Sequence, residues 1–141
     1  MIEPIKDEAG NVWKPSEGFD GGQTKERSGL EIANTKIPSI YCSERFGMAK
    51  FVQDLPNGKY AVKLHFAITY EGITGPGQCV FSMDVEGTEL KNFDVWKKAG
   101  GANRAYVETV PVRITDGKLD ITFTSEGESM TISAIEILPT P

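Results

Sequence analysis

The chain is short of the residues on which most protein chemistry depends. It has 141 residues but only one histidine, His65, and two cysteines, Cys42 and Cys79. No CxxC pair occurs, so a zinc site of the usual Cys/His kind lacks ligands. Two cysteines permit one bridge, yet neither their spacing nor their number requires it, and we read them as two thiols. A serine or cysteine nucleophile would have only His65 as its base, and no GxSxG elbow is present. Positive charge is scarce too. Lys and Arg number 15 against 20 Asp and Glu, a net charge of −5, which argues against binding a phosphate backbone. No apolar run is long enough to span a bilayer, and "MIEPIKDEAG" lacks the hydrophobic stretch of a signal peptide. There is no P-loop, dinucleotide fingerprint or EF-hand loop. No cofactor is expected; a structural calcium stays open, with no ligand cluster that demands it. Neither nucleic acid nor membrane is an expected partner.

What the chain does have is alternation of period two. Tyr60, Val62, Leu64, Phe66, Ile68 and Tyr70 form an apolar row, interleaved with the more mixed Ala61, Lys63, His65, Ala67, Thr69 and Glu71. Successive strand side chains point to opposite faces, so the even row predicts a core-facing side and places His65 on the polar side. Cys79, Phe81, Met83 and Val85 repeat the pattern, as do Leu119, Ile121 and Phe123. "TISAIEIL" reads as a last strand, partly buried on both sides. "PNGK", "VEGTEL" and "TDGK" are Gly-containing turns between such runs. Helix is scarce, the one candidate being "DVWKKAGG", stopped by Gly100 and Gly101. Residues 7–38 are punctuated by Gly and Pro and read as a long irregular segment. The chain is of a length that suits one domain, residues 1–141. The fold class expected is all-β, with two packed antiparallel sheets.

Several segments together resemble the malectin family, which includes malectin-like carbohydrate-binding modules of bacterial polysaccharide-degrading enzymes. They are "GNVWKPSEGFDGG", "IANTKIPSIYCSERFGMAKF", "NGKYAVKLHFAITYEGITGPGQCVFSMDVEG", "FDVWKKAGG", "DGKLDITF" and "ISAIEI". The most specific part is Tyr41-x-x-Glu-Arg-Phe46 followed by the "LHFA" strand. The resemblance implies a β-sandwich of jelly-roll type that binds sugar through loops at one end, without catalysis. Family binding positions fall on Phe46, on Tyr70 and Glu71 after the long strand, and on Glu128, with Glu126 close by, before the last strand. Malectin's second ring is replaced here by Glu71, and its upstream tyrosine has no aromatic counterpart in "GGQTKERSG". The ligand of malectin itself, a glucosylated glycan, is therefore not assumed.

Residue physics bears on the same positions. Tyr41 and Phe46 are five apart, so in one regular strand they face opposite ways; with Tyr41 in the core, Phe46 points out. Tyr70 continues the core row but ends the strand, where a rigid scaffold meets loops. Trp96 is expected to plug one edge of the sandwich, and Trp13 and Phe19 to anchor the irregular segment. Gln78 in "GITGPGQ" is a further candidate for a sugar hydroxyl. A pyranose would lie with its C–H face on Phe46 and Tyr70 and donate hydroxyls to Glu71 and Glu128. Dissociation constants of ~10⁻³ to 10⁻⁵ M are expected. The resulting expectation is a non-catalytic module of a secreted or cell-surface protein, with an attached catalytic domain as covalent partner and a plant cell-wall β-glycan as preferred ligand class. The alternatives are an extracellular protein-interaction sandwich, a lectin for α-glucans such as malto-oligosaccharides, and a small glycosidase or lyase.

Overall fold

A computed structural model describes residues 5–6, 12–13, 19–26, 31–33, 35, 41, 43–70, 72–124 and 131–139. The strands are β1 (Ile5–Lys6), β2 (Val12–Trp13), β3 (Phe19–Glu26), β4 (Ser43–Asp54), β5 (Gly58–Phe66), β6 (Val80–Val85), β7 (Thr88–Asp94), β8 (Tyr106–Ile114), β9 (Lys118–Thr124), β10 (Thr131–Ile132) and β11 (Ala134–Pro139). One helix, α1 (Val95–Ala99), follows β7. A six-stranded sheet runs β10-β4-β9-β6-β7 with β3 also on β4, and a three-stranded sheet runs β11-β5-β8. All these pairings are antiparallel. β1 and β2 form a separate two-stranded ribbon.

The alternating rows meet between the two sheets. Val62, Leu64 and Phe66 from β5, Val110, Val112 and Ile114 from β8, Phe81, Met83 and Val85 from β6, and Leu119, Ile121 and Phe123 from β9 make one apolar core. Neither sheet can bury its inner face alone, so each supplies the other's cover. This is the all-β sandwich read from the sequence.

Four local expectations change. Within 7–38, expected to be irregular, Phe19–Glu26 forms a full strand along β4, with a shift in register between Asp20 and Gly21. Its glycines conceal the strand from a hydrophobicity pattern, and pairing with a long neighbour overrides weak propensity. β5 ends at Phe66 rather than at Tyr70. Beyond it Ala67, Ile68 and Thr69 are all buried, and the Ile68 carbonyl accepts from Asn103 N at 2.8 Å. The backbone there is bonded to a loop, so the ladder stops. His65 does not sit on a polar outer face; it is 6% exposed. Finally, "TISAIEIL" is two strands in different sheets: β10 lies on β4, and β11 lies on β5. Ser133 is the crossing point, its N–H donating to the His65 carbonyl at 2.8 Å.

This topology gives the sandwich two unlike ends. Asp54 pairs with Lys118 and Gly58 with Ile114, so the 55–57 and 115–117 turns share one end. Phe66 pairs with Tyr106 and Val80 with Asp94, so the 67–79 connection and the α1 segment share the other. β10, which carries the chain back from β9, pairs Thr131 with Phe46 towards that same loop end.

Candidate functional site

Among the described residues three large apolar side chains are strongly exposed: Tyr70 at 52%, Val107 at 39% and Phe46 at 38%. The two aromatics both belong to the loop end. Phe46 lies in β4 between Gln23 of β3 and Thr131 of β10. The strand begins at Ser43, so Tyr41 precedes it and the argument from a single regular strand does not apply as framed. Its outcome holds all the same, because Tyr41 is 2% exposed and Phe46 is not buried.

Tyr70 owes its exposure to the two residues that flank it. Ile68 and Ile73 are both buried, and the Ile73 N–H donates to the Tyr70 carbonyl at 3.2 Å, closing a tight turn. The backbone is anchored on either side while the ring stands outside. The loop beyond is braced in turn. Gln78 Oε1 accepts from the Thr74 N–H at 2.7 Å, so this predicted sugar contact spends its carbonyl within the loop. Glu71, Glu126 and Glu128 lie outside the described residues, as does Cys42; Cys79 is buried.

Asp94 was not singled out from the sequence, yet it organises this end. It is buried, and its Oδ1 caps α1 by accepting from Lys97 N at 3.3 Å. Its Oδ2 accepts from Gly77 N at 2.8 Å. One carboxylate thus joins the helix to the 67–79 loop. An Asp just before an apolar helical turn is a recognisable N-cap, but its bond to Gly77 is a tertiary fact that no local pattern signals. Gly100, with φ 86°, closes the helix by donating to Trp96 O at 2.9 Å. Trp96 is half-buried and packs against the core, as a plug should.

Beside this end stands a line of three polar groups. Tyr41 OH and His65 Nδ1 are 2.7 Å apart, and His65 Nε2 and Glu136 Oε1 are 3.3 Å apart. Burial, and secondarily the charge of Glu136, raise the Tyr41 pKa, so its hydroxyl keeps the proton. It therefore donates to Nδ1, which leaves the proton on Nε2 to be donated to Glu136. Burial, with help from Lys63, lowers the His65 pKa to about 4, so the ring is neutral at pH 7. The order of groups is that of a nucleophile, base and acid, but Tyr41 is sealed from solvent and offers its oxygen to no substrate. The line braces the start of β4 against the three-stranded sheet.

The profile of the malectin domain matches residues 2–137. The chain belongs to the malectin family. A probable leucine-rich repeat receptor-like serine/threonine-protein kinase of Arabidopsis thaliana is 33% identical over 103 residues, which is 67% of this chain and 10% of the kinase. A second such kinase of that plant is 35% identical over 83 residues, 55% of this chain and 9% of its own length. The malectin chain described here thus spans about a tenth of the curated relatives it matches. Among solved structures, a β-glucuronidase of Bacteroides uniformis superposes with a TM-score of 0.82 at 20% identity, covering 96% of this chain and 16% of the enzyme. The ANXUR2 extracellular domain of A. thaliana gives 0.81 at 14% identity, covering 98% of this chain and 46% of that one. At such identities the superpositions establish the fold alone. Among the described residues no group of His, Cys, Asp and Glu is arranged to hold a metal ion, and no helix is long and apolar enough to cross a membrane.

Proposed function

We propose that this malectin domain is a non-catalytic carbohydrate-binding module that holds an oligo- or polysaccharide at the loop end of the sandwich. The observation that carries the reading is the pair Phe46 and Tyr70. A fold that buries Phe51, Phe66, Phe81, Phe93 and Phe123 leaves these two rings exposed at one end, where the family resemblance expects sugar contacts. Pyranose C–H groups are slightly positive and settle on a ring's negative face. Glu71 and Glu128, with Glu126 beside it, are the assigned hydroxyl acceptors, and Gln78 contributes its remaining amide donors. Because sugars give up tightly held water to bind, affinity is modest, with Kd of ~10⁻³ to 10⁻⁵ M. Such affinity serves a module tethered to a larger extracellular protein, where effective concentration multiplies it. A glycoside-active enzyme fits that role, and a plant cell-wall β-glycan is the preferred ligand class.

The test is calorimetry and affinity electrophoresis against soluble β-glucans, xyloglucan, xylans, galactans and malto-oligosaccharides. At least one polymer should retard the protein, and Tyr70→Ala or Phe46→Ala should weaken that binding by about tenfold or more. Unaltered retardation of both variants would remove the site. Reducing-end release from any of these polymers would remove the non-catalytic assignment.

One observation favours a second reading. A structural relative, with a TM-score of 0.79 at 16% identity, was solved as the plant peptide RALF23 in complex with FER and LLG2. A protein-binding role for the same loop end predicts no retardation on any glycan of the panel.

A further inference from the structure

Gly72 is exposed, and its backbone has none of the positive φ that reserves a position for glycine. Nothing in its own conformation asks for a missing side chain. The reason lies in its neighbour. A Cβ built on Gly72 would stand 2.4 Å from Cε2 of Tyr70, 2.6 Å from Cζ and 2.9 Å from the hydroxyl oxygen. These distances are well inside contact range, so the outer edge of the ring occupies the space that any other residue would fill. Glycine here permits the close approach of a side chain to backbone. The ring cannot retreat by moving its own backbone, because Tyr70 sits between two buried isoleucines and its carbonyl is held by Ile73 N at 3.2 Å.

We infer that Gly72 sets the tilt of the Tyr70 ring, and thereby selects which sugar faces the site accepts. The second half of the inference rests on the reading of Tyr70 as a stacking residue; the first half does not. Seated over a backbone position without a side chain, the ring takes a tilt that any other residue would deny it, and affinity that depends on that tilt is lost when the ring is turned. Gly72→Ala turns it. The added methyl meets only the far end of a side chain that rotates, so the ring swings aside and the fold absorbs the change.

Two measurements separate the parts. In the NMR spectrum of the unliganded protein, the α-protons of Gly72 lie in the ring current of Tyr70. Their resonances should move in Tyr70→Ala and stay put in Phe46→Ala, and the Tyr70 ring resonances should move in Gly72→Ala. In calorimetry over the glycan panel, Gly72→Ala should lower affinity for the best ligand by about tenfold and change the rank order of the panel. Its melting temperature should match that of the unsubstituted domain, and in a Tyr70→Ala background it should cost nothing further. A Gly72→Ala domain with unmoved Tyr70 ring resonances overturns the inference, as does one with unchanged ranking on a panel that binds. Ring resonances that move in a protein that binds no glycan uphold the glycine–ring relation and remove the sugar reading instead.

Discussion

At the turn end of the sandwich the chain reverses within a few residues, whereas at the loop end it passes through 67–79 and then α1 and 100–105 before returning. Both ends rely on the same device, a side-chain oxygen that accepts a backbone N–H from a neighbouring connection. At the turn end Asn57 Oδ1 accepts from Gly117 N at 2.8 Å, and Leu55 N donates to Gly117 O at 3.0 Å. At the loop end Asp94 accepts from both Gly77 and Lys97. The settings differ. Asn57 is neutral and exposed, and it ties two turns that are already tight; Gly117, with φ 78°, makes its Asp-Gly turn on its own account. Asp94 is a buried carboxylate, and it adds a side-chain tie between two long connections that otherwise meet through the backbone bonds of Asn103 N to Ile68 O and Val95 N to Cys79 O. Short turns close a sandwich cheaply. A surface that displays rings to solvent needs longer connections, and those need an interior tie.

That contrast fails most visibly if Asp94 proves dispensable. Asp94→Ala removes the cap of α1 and leaves the part-buried N–H groups of Gly77 and Lys97 without their acceptor. Charge-assisted bonds of this kind, lost from one side only, cost about 3 kcal/mol together. Urea denaturation should show that loss in its midpoint with little change in slope. Asp94→Asn keeps one carbonyl oxygen and should lose about half as much. Because Tyr70 and Gly77 belong to the same loop, glycan affinity should fall in both variants. An Asp94→Ala domain as stable as the unsubstituted one would mean that the long connections hold themselves.

How much of this was legible in advance follows the same division. The core rows of β5, β6 and β9 and the turns at 57–58, 86–87 and 116–117 were readable because period-two burial and Gly-containing turns are local properties. The exposure of Phe46 was anticipated from strand parity, and that of Tyr70, against its place in the core row, from the strand end and the family resemblance, although the strands begin and end elsewhere than expected. β3 was missed because "FDGGQTKE" has no apolar row, and its strand exists only through β4. His65 was misplaced because the sequence says which residues share a face but not what covers that face; Tyr41, a distant residue, does. Asp94 and Gly72 were passed over for one reason. Each acts through a contact with something outside its own element or above its own backbone, and periodicity carries no information about either.

The brace of Tyr41, His65 and Glu136 lies beside the loop end and gives the next largest effect. His65 titrates near 6.5 when unfolded and at about 4 when folded. A lowered folded pKa means that the unfolded chain takes up the proton first as pH falls. Stability is therefore full above pH 6.5 and declines as the pH drops from there towards 4. Between pH 7 and 5 the loss should be roughly 2 kcal/mol. Since His65 is the chain's one histidine, no other imidazole contributes in that window. Denaturation at a series of pH values should trace the decline, and His65→Gln, which cannot titrate, should flatten it. A slope that survives the substitution would place the titrating group elsewhere.

The smallest effect sharpens the comparison from the turn end. Asn57→Ala deletes the acceptor of Gly117 N, but the turn is exposed and water replaces the lost partner. Leu55 N remains bonded to Gly117 O, and Tyr60 OH still donates to Pro56 O at 2.7 Å. The cost should be about 1 kcal/mol or less, measured as a shift in denaturation midpoint. The sandwich core lies between this turn and the rings of Phe46 and Tyr70, and close-packed strands do not transmit the loss of one surface hydrogen bond. Glycan affinity should accordingly match that of the unsubstituted domain within the error of calorimetry. If Asn57→Ala weakened sugar binding as Asp94→Ala is expected to, the two ends would not be independent, and the division of labour between a closing end and a displaying end would be wrong.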